Sequence, residues 1–573
     1  MVSGLLWPII KKTGPLLMLL GLAAGGYWLN RHYREILTPD IALGERLYQQ
    51  GVDGGGHALQ GVTQNDIAFD DAQFNCAQCH RRSGFGSSEG GNYVLPVTGT
   101  ILFKPRTFER ADLFNKLFKE SQGQVFRARM RSAYQRPAYS DESLARAIRE
   151  GVDPSGRQLS PLMPRYRLND TDMAALIAYL HQLSIRNDPG VDEQTVYLAT
   201  VVGPNVDSAD KTAMLATMRE FVEWLNLETQ GNLDHPNFSP GYRSDFAKAF
   251  RLWRHEVWEL PADPRQWPTE LASRYRRQPV FAFIGGMVNG DWTPIHDFCE
   301  ASRIPCLFPF TDLPPTGHTN RYSMYFNQGL ILEAKAMGRF LRAQKDPETR
   351  TVVNIHSGEP RSSQPAKTLT QSLHGDKRYL VVDLTFESIE QLRDQWQKLA
   401  RQQSAPIQAV IWPGTFDKTI AAELPLLARY AERLLLPSPA LEANQTRFPA
   451  DIAGKLYFSY PYELPTAYHP HAFRVRAWMN TRDLAIENQR LQFNTYYALN
   501  LLQFGLEHVV DHFSRDYLLE YIENEAENQL NPGTFPRLSL GPGQRFASKG
   551  AYIVQLVNND QRQIHPVGDW IIP

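Results

Sequence analysis

The sequence predicts a multidomain chain in which a helical domain is followed by an α/β domain. Three observations predict it. At 573 residues the chain is too long for one hydrophobic core. Up to residue 187, apolar positions recur at helical spacing between loops. From about residue 194, short apolar runs alternate with longer amphipathic stretches, the layout of a parallel sheet covered by helices on both faces. The expected divisions are 1–37 for an N-terminal targeting segment, 38–187 for the helical domain and 188–573 for the α/β domain.

The balance of 60 basic against 61 acidic residues gives no reason to expect a nucleic-acid partner. An apolar fraction of 42% is that of a globular protein, not a disordered one. Glycine and proline are spread along the chain, with no low-complexity tract and no convincing internal repeat.

In the N-terminal segment, Lys11 and Lys12 precede the apolar stretch PLLMLLGLAAGGYWL at 15–29. A cationic flank before a short apolar core is what the export machinery recognises, so a periplasmic location is expected. No clean small-x-small cleavage site follows, and the stretch is short of the roughly 20 residues of a full span. A removed signal and an uncleaved inner-membrane anchor drawn from residues 5–29 both stay open, and Arg31 and Arg34 leave the orientation open.

In the second block, IALGERLYQQG at 41–51 is predicted helical, with Leu43, Leu47 and Tyr48 on one face. VDGGGHALQG is loop-like. DTDMAALIAYLHQL at 170–183 is an amphipathic helix lined by Met173, Leu176, Ile177 and Leu180, with Asn169 or Asp170 as its cap. SIRNDPGVDE at 184–193 is a linker. In the third block, strands are expected at 195–203, 279–286, 304–310, 351–355, 379–384 and 407–414. Helices are expected at 211–225, 292–302, 328–341, 387–399 and 420–435, and 488–524 is mostly helical in pattern.

The string CAQCH at 76–80 carries the chemistry of the first domain. Two thiols three residues apart can add to the two vinyl groups of one haem, and the histidine that follows is then held beneath the iron. Half of a zinc site is the first competing reading, but no second cysteine pair lies near. A thioredoxin-like redox pair is the second, but no strand precedes the motif in the expected way. One covalent haem c on Cys76 and Cys79, with His80 as axial ligand, is the expectation. Met163, in SPLMPRY, is the candidate for the sixth iron position, since a thioether raises the reduction potential and suits an electron carrier.

The segment LARAIREGVDPSGRQLSPLMPRYRLNDTDMAALIAYLHQL at 144–183, together with CAQCH, resembles the class I c-type cytochromes. The resemblance implies an all-α cytochrome c domain over 38–187 with His80 and Met163 as the axial pair. It also implies that Pro164 and Tyr166 shape the methionine loop. The spacing between His80 and Met163 is longer than in the smallest members. Part of the extra chain, 101–136, holds nine Lys/Arg against three Asp/Glu. With Arg81 and Arg82, it could form a positive rim for an acidic redox partner. A solvated face balanced elsewhere explains the same residues.

The third block resembles the type I periplasmic binding proteins, the leucine/isoleucine/valine receptor family of ABC importers. FAFIGGMVNGDWTPIHDFCEASRIPCLFP at 281–309 carries most of that similarity, and SMYFNQGLILEAKAMGRFL at 323–341 resembles the crossing into the second lobe. The resemblance implies a two-lobed α/β domain that closes on a small molecule. By position, the cleft candidates are Gly286, Met287, Asn289, Asp291, Trp292, Phe310 and Thr311, with Tyr325, Trp412 and Tyr460 from the second lobe. The acidic side chain and indole of MVNGDW depart from a site built for an amino-acid carboxylate. Cys299 and Cys306 are either a disulfide or buried thiols. His469 and His471 have no accompanying ligand cluster, and no P-loop, HExxH or GxSxG string is present.

These features predict a non-enzymatic exported electron carrier. Its partner would be a periplasmic dehydrogenase or respiratory-chain component, and the binding-protein-like domain would dock that partner or bind a small ligand. The alternative is a solute-binding or sensing protein of an ABC-type uptake system with the haem as redox reporter. A haem enzyme with an open iron position is disfavoured by Met163.

Overall fold

The structure is a computed structural model. It describes residues 39–573 except 64–66, 90–91, 107–134, 235–250, 318–320, 345–348, 403–406, 415, 443–447, 450, 468–469, 511, 528–530 and 559–562. The N-terminal segment with its tether candidate 5–29, most of the basic stretch 101–136, and His469 lie outside the described residues. Among those described, no helix is long and apolar enough to cross a membrane.

The chain divides into two compact units. The first takes the described residues up to Val196, Asn226–Leu252 and Phe504–Tyr521. The second takes Tyr197–Leu225, Trp253–Gln503 and Ile522–Pro573.

In the first unit, helix α1 (Pro39–Gln50) is followed by β1 (Gln60–Thr63), β2 (Ile67–Asp70) and the one-turn α2 (Cys76–His80). Next come the hairpin β3 (Ser87–Glu89) and β4 (Asn92–Val94), then α3 (Asp141–Glu150), β5 (Arg165–Tyr166) and α4 (Asp170–Gln182). Asn169 caps α4 by accepting the Asp172 N–H at 2.8 Å. Helices α1 and α4 cross at Gly44, where a Cβ would stand 2.1 Å from the Ala175 carbonyl oxygen. Leu47 and Tyr48 bury there, with the Tyr48 and Tyr179 rings 5.4 Å apart.

The expectation of an all-α domain needs correction. Strands β2, β1 and β5 form a small antiparallel sheet, and β3 pairs with β4. Gly61 permits the first of these, since a Cβ there would lie 2.3 Å from the Arg165 carbonyl oxygen.

The unit also contains the repeat that the sequence reading did not find. Residues 46–59 and 146–159 fold alike on the shared pattern Arg, Gly-Val-Asp, Gly, Leu. Arg46 and Arg146 donate to the carbonyls of Asp53 and Asp153 at 3.0 and 3.1 Å. The Asp53 and Asp153 carboxylates accept the N–H of His57 and Arg157 at 2.8 and 2.9 Å. Gly51 and Gly151 end their helices at φ 69° and 74°, a left-handed turn that favours glycine.

The second unit is α/β and built on two sheets. Its first sheet has the order β10-β9-β8-β6-β7, from β6 (Thr195–Val202), β7 (Leu252–Glu259), β8 (Ala282–Ile284), β9 (Cys306–Leu307) and β10 (Ser323–Met324). The run from β10 to β6 is parallel. Around it lie α5 (Ser208–Asp234), α6 (Trp267–Arg277) and α7 (Thr293–Ser302). Helix α8 (Leu330–Ala343) leads into the second sheet.

The second sheet has the order β12-β11-β13-β14-β15-β16-β17. Its strands are β11 (Arg350–Ser357), β12 (Tyr379–Phe386), β13 (Ile407–Ile411), β14 (Ala431–Leu436), β15 (Leu456–Tyr460), β16 (Tyr552–Asn558) and β17 (Gln563–Pro566). The first five pair in parallel and the last two antiparallel. Helices α9 (Pro360–Leu373), α10 (Ile389–Gln402) and α11 (Lys418–Ala428) alternate with the parallel strands, and α12 (Gln489–Val509) and α13 (Arg515–Glu525) come late in the chain.

The helix expected over 420–435 is corrected to α11 followed by β14. Its apolar tail enters the sheet beside β13 instead of continuing the helix.

Of the two states open for the remaining cysteines, the structure has the thiols. Cys299 on α7 and Cys306 on β9 are thiols at 0% exposure, packed in the core beside the first sheet. Each fills core space as a small apolar side chain.

Candidate functional site

Helix α2 is set by the buried Asn75. Its Oδ1 accepts the Gln78 N–H at 3.1 Å and its Nδ2 donates to the Ala72 carbonyl at 3.0 Å. The turn leaves Cys76 half-buried, Cys79 exposed and His80 half-buried, with no disulfide between the two thiols. Burial pushes the Cys76 thiol up to about 12, so it stays protonated.

His80 Nδ1 lies 2.8 Å from the Leu95 carbonyl oxygen. A carbonyl only accepts, so Nδ1 carries the proton and Nε2 keeps its lone pair, the tautomer a metal needs. Burial holds His80 below the ordinary histidine value, and the Leu95 contact opposes that in part.

Met163 is half-buried in a loop closed by its own N–H to the Ser160 carbonyl at 3.1 Å. The Arg165 guanidinium knits this loop, donating to the carbonyls of Met163 and, at 3.2 Å, Leu159. The Tyr166 hydroxyl donates to the Phe74 carbonyl at 2.8 Å, which ties the methionine loop to the chain just before Cys76. Burial pushes the Tyr166 phenol up, and both Cys76 and Cys79 add to the shift. Two thiols one helical turn apart, an imidazole with its outer nitrogen available and a thioether on a tied loop fit a covalently held haem. Among the described residues, no group of three or more His, Cys, Asp or Glu gathers as a metal site.

The chain just after His80 is clasped by residues from late in the sequence. The Ser83 N–H and hydroxyl donate to the buried Glu520 carboxylate at 3.1 and 2.5 Å. Phe85 stacks on Tyr517 with centroids 4.2 Å apart. Arg82 lies 3.7 Å from Asp516, so this member of the expected positive rim faces a carboxylate.

A cavity of about 340 Å³ lies in the second unit. It brings together Phe310, Thr311 and Tyr325 from the sequence-derived set. Tyr325 is hydrogen-bonded through its hydroxyl to His296 Nδ1 at 2.9 Å. The other candidates do not line it. Gly286 and Met287 run between neighbouring strands, where Gly286 accepts from Phe310 N and Met287 bridges to Val202 and Phe310. Asn289 accepts from Arg361 at 2.6 Å, and Asp291 accepts the Thr293 N–H at 2.9 Å. Trp292 and Trp412 are core residues at 0% and 2% exposure. Tyr460 packs edge-on against Tyr462, which does line the cavity. Sequence reasoning missed Asp210, Glu333, Ser438, Arg490 and Phe535, which come from distant segments and share no local signal.

The chain is similar in structure to several solved binding proteins. A branched-chain amino acid ABC transporter protein from Thermus thermophilus, solved with valine, is 11% identical at a TM-score of 0.47, covering 67% of this chain and 98% of that one. A fatty acid ABC transporter substrate-binding protein from Thermomonospora curvata is 12% identical at 0.49, covering 68% and 95%. A type 1 periplasmic binding protein from Bordetella pertussis is 16% identical at 0.45, covering 66% and 100%. No curated protein matches the sequence. Residues 68–184, which contain both CAQCH and Met163, match the family model for cytochrome c, and this stretch of the chain is a cytochrome c domain.

Proposed function

We propose that the chain is an exported one-electron carrier with a single haem c, joined to a unit that captures a small molecule. A haem held at this site supplies a ferric/ferrous couple that exchanges one electron without forming or breaking bonds in a substrate. Cys76 and Cys79 are the attachment points. His80 would hold the iron through Nε2, since the Leu95 carbonyl fixes the ring's tautomer and plane. Met163 would supply the second ligand, on a loop held by Arg165 and by the Tyr166 hydroxyl on the Phe74 carbonyl. An iron held by both His80 and Met163 would have no position left for a substrate, which suits electron transfer rather than catalysis. The redox partner is a periplasmic dehydrogenase or respiratory-chain component.

The observation that carries this reading is the lone pair left on His80 Nε2, together with a methionine loop tied to the chain just before Cys76. The test is spectroscopy of the full haem-loaded protein. A low-spin ferric spectrum with the weak thioether-to-iron charge-transfer band is expected, lost in Met163→Ala. A high-spin ferric wild type that binds cyanide at once would overturn the reading in favour of an enzyme.

The second reading, solute capture or sensing with the haem as redox reporter, is favoured by the cavity that gathers Phe310, Thr311 and Tyr325 with Asp210, Glu333 and Arg490. In that role the second unit serves an ABC-type uptake system or reports a solute to the redox chain.

A further inference from the structure

We infer that the cavity of the second unit selects a small organic cation, an amine carried on an apolar body. The inference rests on the solute-capture reading and names the class of solute.

The charge of the walls is the first argument. Asp210, Asp312 and Glu333 bring three carboxylates to the cavity. The Arg361 guanidinium pairs with Asp312, and among the described residues Arg490 is the one cationic side chain in the lining itself. Among the described residues, three carboxylates stand against two guanidiniums at the walls. Glu333, at 3% exposure, accepts from the Ser438 N–H at 2.6 Å, the Ser438 hydroxyl at 2.8 Å and the Ser459 hydroxyl. These donors fix the Glu333 carboxylate at the cavity wall. Asp210 is half-buried and accepts from Asn488 Nδ2 at 2.8 Å, which fixes its plane at the wall.

The aromatic walls are the second argument. Phe326 stacks on Phe535 with centroids 5.5 Å apart and an interplanar angle of 16°. Phe310 lies 5.9 Å from Phe326, and Tyr462 lies 5.5 Å from Phe535. Ring faces are negative and attract ammonium groups as well as apolar bodies. The cavity already uses this attraction once, with the Arg490 guanidinium 3.7 Å from the Tyr462 centroid. A carboxylate or phosphate group would meet repulsion from Asp210 and Glu333 and attraction from Arg490, whose guanidinium already lies over Tyr462. The volume of about 340 Å³ lies at the small end for ligand sites, which limits the occupant to a compact molecule.

The test is calorimetric titration of the full-length, haem-loaded protein with three probes of similar shape: benzylamine, benzyl alcohol and benzoate. Benzylamine is expected to bind about tenfold tighter than benzyl alcohol, and benzoate weakest of all. Asp210→Asn, a change at a half-exposed position, is expected to weaken benzylamine severalfold and leave benzyl alcohol unchanged. Phe310→Ala is expected to weaken both, which locates the probe in this cavity. Benzoate binding as tightly as benzylamine, or benzylamine indifferent to Asp210→Asn, overturns the cation inference while leaving solute capture standing. If none of the three binds at millimolar concentration, both fall.

Discussion

Thr200 has one hydroxyl proton, and the Ile284 carbonyl, 2.7 Å away, is its nearest acceptor. His255 Nε2, also 2.7 Å from that hydroxyl oxygen, must therefore donate to it, which requires a proton on Nε2. Burial pushes His255 down to about 4 from an ordinary value of 6.5. Thr200, Ile284 and Met218 around Thr200 Oγ1 are uncharged, so none of them offsets this. The sign follows from linkage. The unfolded chain takes up a proton near 6.5 and the folded chain only near 4, so the stabilisation is complete above 6.5 and drains away as pH falls toward 4. The ring is enclosed while the residue as a whole is half-buried, so the loss is at most about 3 kcal/mol. Urea melts between pH 8 and 4.5 should follow that slope in the second unit, and His255→Gln should flatten it. An equal slope in the variant would move its origin elsewhere.

Among the elements, the crossing of α1 and α4 has the least tolerance. A Cβ on Gly44 would stand 2.1 Å from the Ala175 carbonyl oxygen and 2.6 Å from the Tyr179 Cβ, and neither neighbour is a flexible side-chain end. Gly44→Ala should push the helices apart and cost about 1–3 kcal/mol despite alanine's better helix propensity. Thermal melting of the haem-loaded protein checks it, and an unchanged midpoint would show that the crossing can slide. The two helices were legible because their apolar faces repeat within a few residues, as were CAQCH and the Met163 loop. Strand β7 was not, because LWRHEVWE carries charges at alternate positions and its burial depends on a distant partner. The tail Ala431–Leu436 read as helix because a run of leucines fits either period, and only the neighbouring strand β13 decides between them. The repeated Arg, Gly-Val-Asp, Gly, Leu turn was present in the letters, but its meaning lies in backbone hydrogen bonds that no apolar period reports.

At the scale of the molecule, a contiguous reading of domains meets a chain whose first unit draws on three separate segments. Residues near 187 look like a linker by composition, yet Asn187 and Asp188 hold residues far downstream. The Phe513 N–H donates to Asn187 Oδ1 at 3.0 Å, and the Arg515 N–H donates to Asp188 Oδ2 at 2.7 Å. Arg515, at 2% exposure, donates in turn to the Pro189 carbonyl at 2.9 Å. No pattern within 38–187 signals that Ser83, three residues after His80, needs Glu520. A fragment cut at residue 187 therefore loses the acceptor for the Ser83 N–H and hydroxyl and the ring beneath Phe85. Two hydrogen bonds to a carboxylate contribute about 2–4 kcal/mol, which the fragment lacks. Residues 38–187 produced alone with haem should unfold at lower denaturant than the same domain in the full chain, and should be cleaved by trypsin after Arg81 or Arg82. Glu520→Gln in the full chain should lower the haem-domain midpoint by a smaller step, since an amide oxygen still accepts one of the two bonds. A fragment as stable as the full chain, with Glu520→Gln silent, would mean that the late helix merely rests on the haem-binding loop and contributes nothing to holding it.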